Sequence, residues 1–365
     1  MKVICNRGAL LDALNVTGNV VASRTPKPVL QCVKLTAEND RLTVAATDLE
    51  VAIRYSDNQV QIEQPGETLL PADKFRDIVR ESVDDTLSIE VTADNASIKG
   101  NDSHFKIFTQ NPKDFPPVPD FEGEADFEIQ GGLLKSLIGQ TLFAAAKEST
   151  RYAFNGVLLV AKTKKIILVS TDGRRLAQGK GDLISGGDKE SRAIIPSKAL
   201  TLIDKLIDDP EESIGFQVRE NQIIVHTSSA TLTSSLVEGQ FPPYEDVIPK
   251  DTDKKMSAST ADFLSAIRRA ALLTTEESKG VRLHFDKKGL VLTSRSPESG
   301  EATINFPCKF EGTDVEIGFN PQFLTDALRV VDSDEISLEL TAPNRPGLLR
   351  GGPNFLYVIM PVNLQ

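Results

Sequence analysis

The sequence predicts an α+β protein built from three tandem copies of one domain. Two recurring blocks carry that expectation. A helical block, GALLDALNV (residues 8–16), returns as GGLLKSLIG (131–139) and TADFLSAIR (260–268). A second, LPADKFRDIV (70–79), returns as IPSKALTLID (195–204) and FNPQFLTDAL (319–328). Pro71, Pro196 and Asn320 hold matching places, at steps of 125 and 124 residues. The repeat ends rhyme as well, as FPPVPDF (115–121), FPPYEDVIP (241–249) and YVIMPVNL (357–364). Such a period exceeds any solenoid unit and suits a whole small domain. The expected domains are residues 1–125, 126–251 and 252–365.

Each repeat reads helix, strands, helix, strands. The opening MKVICNRGALLDAL reads as a strand running into a helix. In the second repeat Leu133, Leu134, Leu137, Ile138 and Leu142 share one helical face. Leu200, Ile203, Leu206 and Ile207 do the same for its second helix, and Ser197 stands where a cap belongs, just after Pro196. Between helices the period falls to two. DRLTVAATD (40–48), KKIILVSTD (164–172) and KGLVLTSRS (288–296) predict strands after short polar turns. LRGGPN (349–354) reads as a hairpin turn, since no Lys-Ser/Thr follows to make a phosphate loop. Each domain is thus two helices plus roughly eight short strands, with helices on one side of the sheets. The linkers FEGEADFE (121–128) and PKDTDKK (249–255) are short and acidic, so neighbouring domains are expected to dock rigidly.

Composition excludes several classes. At 40% apolar and 25% charged residues the chain is of ordinary globular type. No apolar run reaches the roughly 18 residues that span a bilayer, and the N-terminus lacks a signal-peptide core. Cys5, Cys32 and Cys308 are odd in number and far apart, which points to a reducing cytoplasm. His104, His226 and His284 are not spaced as metal ligands, so no metal or other cofactor is expected. STDGRRLA (170–177) has a site-like density of polar groups. It has no partnered base, however, and like TDLE (47–50) it reads as a strand-ending turn. No enzymatic activity is expected.

The net charge of −11 taken alone speaks against nucleic acid. Distribution decides, however. The helical segments carry Lys74, Arg76, Arg80, Lys135, Lys147, Lys198, Lys205, Arg268, Arg269 and Arg329, with Arg24 just after the first. Against these eleven stand six acids: Asp12, Asp77, Glu81, Asp204, Asp262 and Asp326. Repeated domains in an arc would bring equivalent helices to one surface, where they would hold a polyanion inside an acidic exterior. No helix-turn-helix, zinc finger or aromatic strand motif is present, so the implied contact is with backbone phosphate. The ending LYVIMPVNLQ places Met360, Pro361, Val362 and Leu364 in an apolar stretch suited to partner docking.

Over its whole length the chain resembles the β-subunit family of bacterial DNA polymerase III, the sliding clamps. The marks are TDLE in the first repeat, then RYAFNGVLL and STDGRRLA in the second. FPPYEDVIPK follows at the second boundary, KGVRL and EIGFN in the third repeat, and VIMPVNL at the end. The resemblance implies three DNA-clamp domains, each of two helices and two antiparallel sheets. It implies a crescent protomer and a head-to-tail homodimer that closes into a ring around double-stranded DNA without sequence specificity. Implied partners are the polymerase III catalytic subunit, the clamp-loader complex and other proteins with a clamp-binding motif. The implied partner pocket comprises Phe154, Thr171, Gly173, Arg174, Arg175, Leu176, Pro242, Val247, Asn320, Phe323, Pro346, Val358, Met360, Pro361 and Val362. Leu176, Pro242, Val247, Val358, Met360 and Val362 are expected to form its apolar floor, with Arg175 and Asn320 as polar contacts at the edge.

Implied DNA contacts are Arg24, Lys147, Arg151, Tyr152, Lys198, Lys279 and Arg282. The implied dimer seam sets Lys74, Phe105 and Ile107 against Leu272, Leu273, Glu298 and Glu301. Some positions depart from the family pattern: Asp246, Asp73 and Glu148 stand where basic residues are familiar, Arg174 for a His and Asn363 for an Arg, and Gln365 extends the terminus. The competing reading is a repeat-built peptide-binding adaptor that does not encircle DNA.

Overall fold

The computed structural model describes residues 1–147, 152–274 and 280–363. Six helices are present among them: α1 (Arg7–Gly18), α2 (Ala72–Glu81), α3 (Gly131–Leu142), α4 (Ser197–Leu206), α5 (Thr260–Ala271) and α6 (Pro321–Arg329). They begin where the repeats align. Pro71 and Asn320 are the N-caps of α2 and α6, and Pro196 immediately precedes α4. Capping is chemical as well as positional. Asn6 Oδ1 accepts from Ala9 N–H at 3.0 Å, and Asn320 Oδ1 from Gln322 N–H at 2.9 Å. Ser197 itself opens α4, and its hydroxyl donates to the Asn155 carbonyl.

Twenty-seven strands follow, nine in each repeat, where periodicity alone suggested eight. The surplus lies in short strands such as Ser185–Gly186 and Lys309–Glu311, too brief to show an alternating pattern. Their sheets continue across the repeat boundaries. The chain divides into two compact units, and each is organised around a nine-stranded antiparallel sheet that crosses a repeat boundary.

The first unit takes residues 1–132, 183–189 and 198–236. Its large sheet runs Ser185–Gly186, Phe127–Gln130, Ser213–Val218, Gln222–His226 and Ala230–Ser235, five strands of the second repeat. It continues into Val51–Asp57, Arg41–Thr47, Cys32–Glu38 and Gly66–Pro71, four strands of the first. The junction pairs Ala230 with Tyr55 through Ser234 with Val51. A separate five-stranded sheet orders Val60–Gln64, Lys2–Asn6, Thr86–Val91, Asn95–Lys99 and His104–Phe108. Helix α1 packs on α2 and on the Val51–Asp57 strand. Leu10, Leu14, Phe75 and Val79 are buried there, at helical spacing.

The second unit takes residues 133–182, 190–197 and 237–365. Four strands of the second repeat come first: Ser191–Pro196, Gly156–Lys162, Lys165–Thr171 and Arg175–Asp182. Five of the third follow: Phe355–Ile359, Gly347–Gly351, Glu335–Leu340, Lys254–Ser259 and Lys309–Glu311. Here Leu176 faces Val358 across the junction. A separate four-stranded sheet orders Gly300–Phe306, Gly289–Ser296, Val281–Asp286 and Val315–Phe319. Helices α5 and α6 pack together over a core of Phe263, Ile267, Leu324, Leu328 and Tyr357. Gly179 and Gly181 let α3 lie close on its sheet, since a Cβ on either would meet Leu137 or Leu133 at 2.8 Å. The Ser170 and Ser294 hydroxyls donate to Thr141 and Ala270 carbonyls, satisfying groups that helix ends leave unpaired.

The two Thr-Asp turns are the same object. Thr47 Oγ1 donates to Val51 O, and Thr171 Oγ1 to Arg175 O. Asp48 Oδ1 accepts from the N–H of Glu50 and Val51, and Asp172 Oδ1 from Arg174 and Arg175. Each turn needs one left-handed residue. Gly173 supplies it at φ 86°, but the first repeat uses Leu49 at φ 83°. A side chain there costs about 1–3 kcal/mol of strain, whereas a glycine costs about 0.4–1 kcal/mol through the unfolded chain. Strain is the larger effect, so Leu49→Gly is expected to stabilise the first unit by about 0.5–1 kcal/mol, and Gly173→Ala to destabilise the second by about 1 kcal/mol. Denaturant unfolding of both variants checks the pair. The same sign for both would contradict this account of the turn.

Candidate functional site

The largest concentration of predicted residues lies in a cavity of about 240 Å³ in the second unit. Four elements wall it. The 3-10 turn Tyr152–Asn155 brings Phe154, and the Thr-Asp turn brings Thr171, Gly173 and Arg174. Leu176 and Val358 meet as cross-strand partners on the floor, with Met360 just past the last strand. The Pro-rich segment closes the far side with Pro242, Pro243, Tyr244 and Val247. Pro243 and Tyr244 were not singled out from sequence, although they lie inside the FPPYEDVIP rhyme. Tyr244 is buried against Phe241, edge to face at 6.3 Å. Burial pushes its phenol up to about 12, reinforced by the Glu245 carboxylate. Val247 and Met360 stay 51% and 43% exposed, leaving apolar surface for a ligand to cover.

Asn320, Phe323, Pro346, Pro361 and Val362 are not on the cavity lining. Asn320 spends its side chain capping α6. Phe323 lies under the Arg175 guanidinium at 4.4 Å. The Val362 N–H donates to Gly318 O, which ties the tail down. Pro346 sits in the loop before the Gly347–Gly351 strand.

Arg175 corrects an expectation. It lines the cavity, but its polar atoms face inward rather than toward a ligand. Its Nε meets Asp172 at 3.0 Å, Nη1 meets Asp326 at 2.7 Å, and Nη2 donates to Phe143 O at 2.9 Å. Only 12% of the side chain is exposed. Burial works against its charge, yet the hydrogen bond to Asp326 together with Tyr357 and Asp172 outweighs it and the pKa is raised. Arg175 is a structural rivet, and the exposed cation at this rim is Arg174.

The predicted phosphate-contacting residues divide between the units. Arg24, just after α1, and Lys147 are exposed. Lys198, at the start of α4, pairs with Asp48. Arg282, on a strand, pairs with Glu316 at 2.5 Å. Arg151 and Lys279, with the neighbouring Glu148, lie outside the described residues, as do Leu364 and Gln365; of Tyr152 only the backbone is described. The helical charge bias is weaker than the sequence count. As folded, the helices carry ten basic and seven acidic residues. Arg24 and Lys147 fall outside them, Arg7 falls within, and Asp73 adds an acid. Asp73 also holds Arg76 at 3.0 Å. The helices still sum to +3 in a chain of −11.

At the predicted seam, Phe105 and Ile107 share one face of the edge strand His104–Phe108. Phe105 is 39% exposed, and Phe108, which sequence reasoning missed, is 80% exposed. Lys74, Glu298 and Glu301 are exposed, with Glu301 3.5 Å from Arg295. Leu272 is 78% exposed at the end of α5, and Leu273 is half-buried. Burial pushes the Cys5, Cys32 and Cys308 thiols up to about 12, 11 and 11, so all three stay protonated. No helix among the described residues is long and apolar enough to cross a membrane.

Comparison with known proteins matches three consecutive family models of the DNA polymerase III beta subunit. The N-terminal domain model matches residues 1–119, the central domain model 128–243 and the C-terminal domain model 245–363. The beta sliding clamp of Pseudomonas putida is 34% identical over 370 aligned residues, covering all of both chains. A crystal structure of the DNA polymerase sliding clamp from Pseudomonas aeruginosa is 31% identical with a TM-score of 0.94, again over both full lengths. The sliding clamp of Bacillus subtilis is 29% identical with a TM-score of 0.96, also over both full lengths.

Proposed function

The chain belongs to the DNA polymerase III β-subunit family, and from that premise we propose a sliding clamp that closes around duplex DNA as a head-to-tail dimer and tethers the replicative polymerase. The observation that carries the closure is a count of strands. Each internal junction joins four strands of one repeat to five of the next. The first repeat keeps a five-stranded sheet ending on His104–Phe108, and the third a four-stranded sheet ending on Gly300–Phe306. These two edges are the unlike halves of a third nine-stranded sheet. A second copy supplies what each lacks, and pairing removes two exposed edges per protomer.

The internal junctions also supply a register. Thr47, Thr171 and Arg295 hold one place in the repeats, so their hairpin partners Ala52, Leu176 and Glu301 correspond. Ala52 faces Thr233 and Leu176 faces Val358. His226–Thr231 and Lys99–His104 close corresponding turns, which makes Lys106 the counterpart of Thr233. Lys106 therefore faces Glu301 across the seam, and Phe105 faces Ala302. Opposite charges so placed contribute about 0.2–1 kcal/mol each.

The net positive helices suit phosphate contact without base reading. The cavity suits short, unfolded segments of the polymerase catalytic subunit, the clamp loader and other motif-bearing partners, bound by burying apolar anchors. The role is tethering rather than catalysis, and the protonated, unpaired thiols suit the cytoplasm. The named relatives are sliding clamps, which favours the ring over the adaptor. The three domains are taken as residues 1–125, 126–251 and 252–365.

Retention on DNA tests the ring. Clamp assembled on a nicked circular duplex by the loader should survive about 0.5 M salt, at which phosphate contacts alone fail. Cutting the circle should release it. Release by salt alone, with cutting irrelevant, would leave binding by affinity and no topological link.

A further inference from the structure

We propose that the partner cavity selects peptides carrying a basic residue beside their apolar anchors, with Asp246 as the residue that reads it. The inference rests on the pocket reading above and adds the charge of the ligand. The cavity wall contributed by the 3-10 turn Tyr244–Val247 has an apolar inner side, Tyr244 and Val247, and an acidic outer side, Glu245 and Asp246. Both acids are exposed. Their situations differ. Glu245 is hydrogen-bonded to the Tyr244 hydroxyl, which also feels the Arg192 charge. Asp246 makes no ion pair among the described residues, and its own N–H is turned back to the Pro243 carbonyl. A chain laid against the half-exposed Val247 therefore passes an unneutralised carboxylate one residue away.

The opposite wall does not cancel that field. The cation that lines the cavity most deeply, Arg175, is consumed by Asp172 and Asp326. The remaining one, Arg174, stands on a different element and is exposed. The rim thus has a cationic side at the Thr-Asp turn and an anionic side at the Pro-rich segment. An apolar floor gives affinity without charge preference, so the discrimination among peptides with equal anchors falls to this rim. A Lys or Arg on the flank that meets Asp246 is favoured, and an Asp or Glu there is repelled.

Fluorescence anisotropy with four labelled peptides tests this on the full-length protein. All share the core Gln-Ser-Leu-Phe and differ by Lys or Glu on the N-terminal or C-terminal flank. On one flank the Lys peptide should bind about three- to ten-fold tighter than the Glu peptide at low salt, as expected for an exposed pair set against an exposed repulsion. Salt should shrink the ratio. Asp246→Asn should bring it close to one, and Asp246→Lys should invert it. Equal affinity for Lys and Glu on both flanks, with the core still bound, overturns the charge selection and leaves the pocket reading standing. A preference that survives Asp246→Asn overturns the role of Asp246. No binding of any of the four would sink the pocket reading, and the selection with it.

Discussion

Leu272→Asp should convert the proposed closed dimer into monomers at low micromolar concentration. Leu272 is 78% exposed in the single chain, so the substitution leaves the protomer's own core untouched. Exposed substitutions away from special features change folding stability by only about 0.5 kcal/mol. Helix α5, which Leu272 ends, packs on the Gly300–Phe306 strand that forms one proposed edge. Seating that edge against Phe105 and Ile107 of the other copy would bury an unpaired carboxylate. The desolvation penalty of such a charge is several kcal/mol. A dimer with two seams bears it twice. Leu273 is the poorer choice because it is already half-covered within its own chain, which would mix folding with assembly. Sedimentation velocity reads the mass, and thermal unfolding confirms the fold. A mutant that still sediments as a dimer at low micromolar protein would show that the seam lies elsewhere.

Arg175→Ala should destabilise the second unit by about 3–5 kcal/mol, the range for removing one partner of a buried ion pair. The cause is what stays behind. Asp172 and Asp326, whose side chains are 20% and 19% exposed, would face each other without the guanidinium between them. The Phe323 and Phe143 rings, at 4.4 and 5.5 Å from its central carbon, lose a packing partner, and the Phe143 carbonyl loses a donor. Removing Asp326 as well should restore part of the loss, since fewer uncompensated charges remain. Urea unfolding of the two variants measures this. A loss below about 1 kcal/mol for Arg175→Ala would place the network among surface pairs of little worth.

What the sequence revealed and what it hid divide along chain separation. Leu134, Leu137 and Ile138 announce α3 within four residues of one another, and all three are buried. The Thr-Asp turns close within five residues, and both fold as read. The triplication was legible because Pro71, Pro196 and Asn320 keep one job. The stitching of repeats by shared sheets was not. Nothing local in Ala230–Ser235 names Val51–Asp57 as its neighbour, because register is set by distant strands. Arg175 misled for the same reason: its partner Asp326 is 151 positions away. The cavity's apolar members were found through family likeness, whereas Tyr244 was hidden in a segment read only as a repeat end.

The five-and-four division of strands has a consequence for direction. A protomer whose two edges differ meets its twin unlike edge to unlike edge at both seams, never like to like. Both copies in a closed pair must point the same way around the circle. Such a pair has a front and a reverse that no rotation exchanges. Every docking cavity such a pair carried would look toward the same end of a threaded duplex. A machine that grips the front would always meet it in one orientation relative to the growing strand, so the sense of travel would be written into the unlike edges of a single chain.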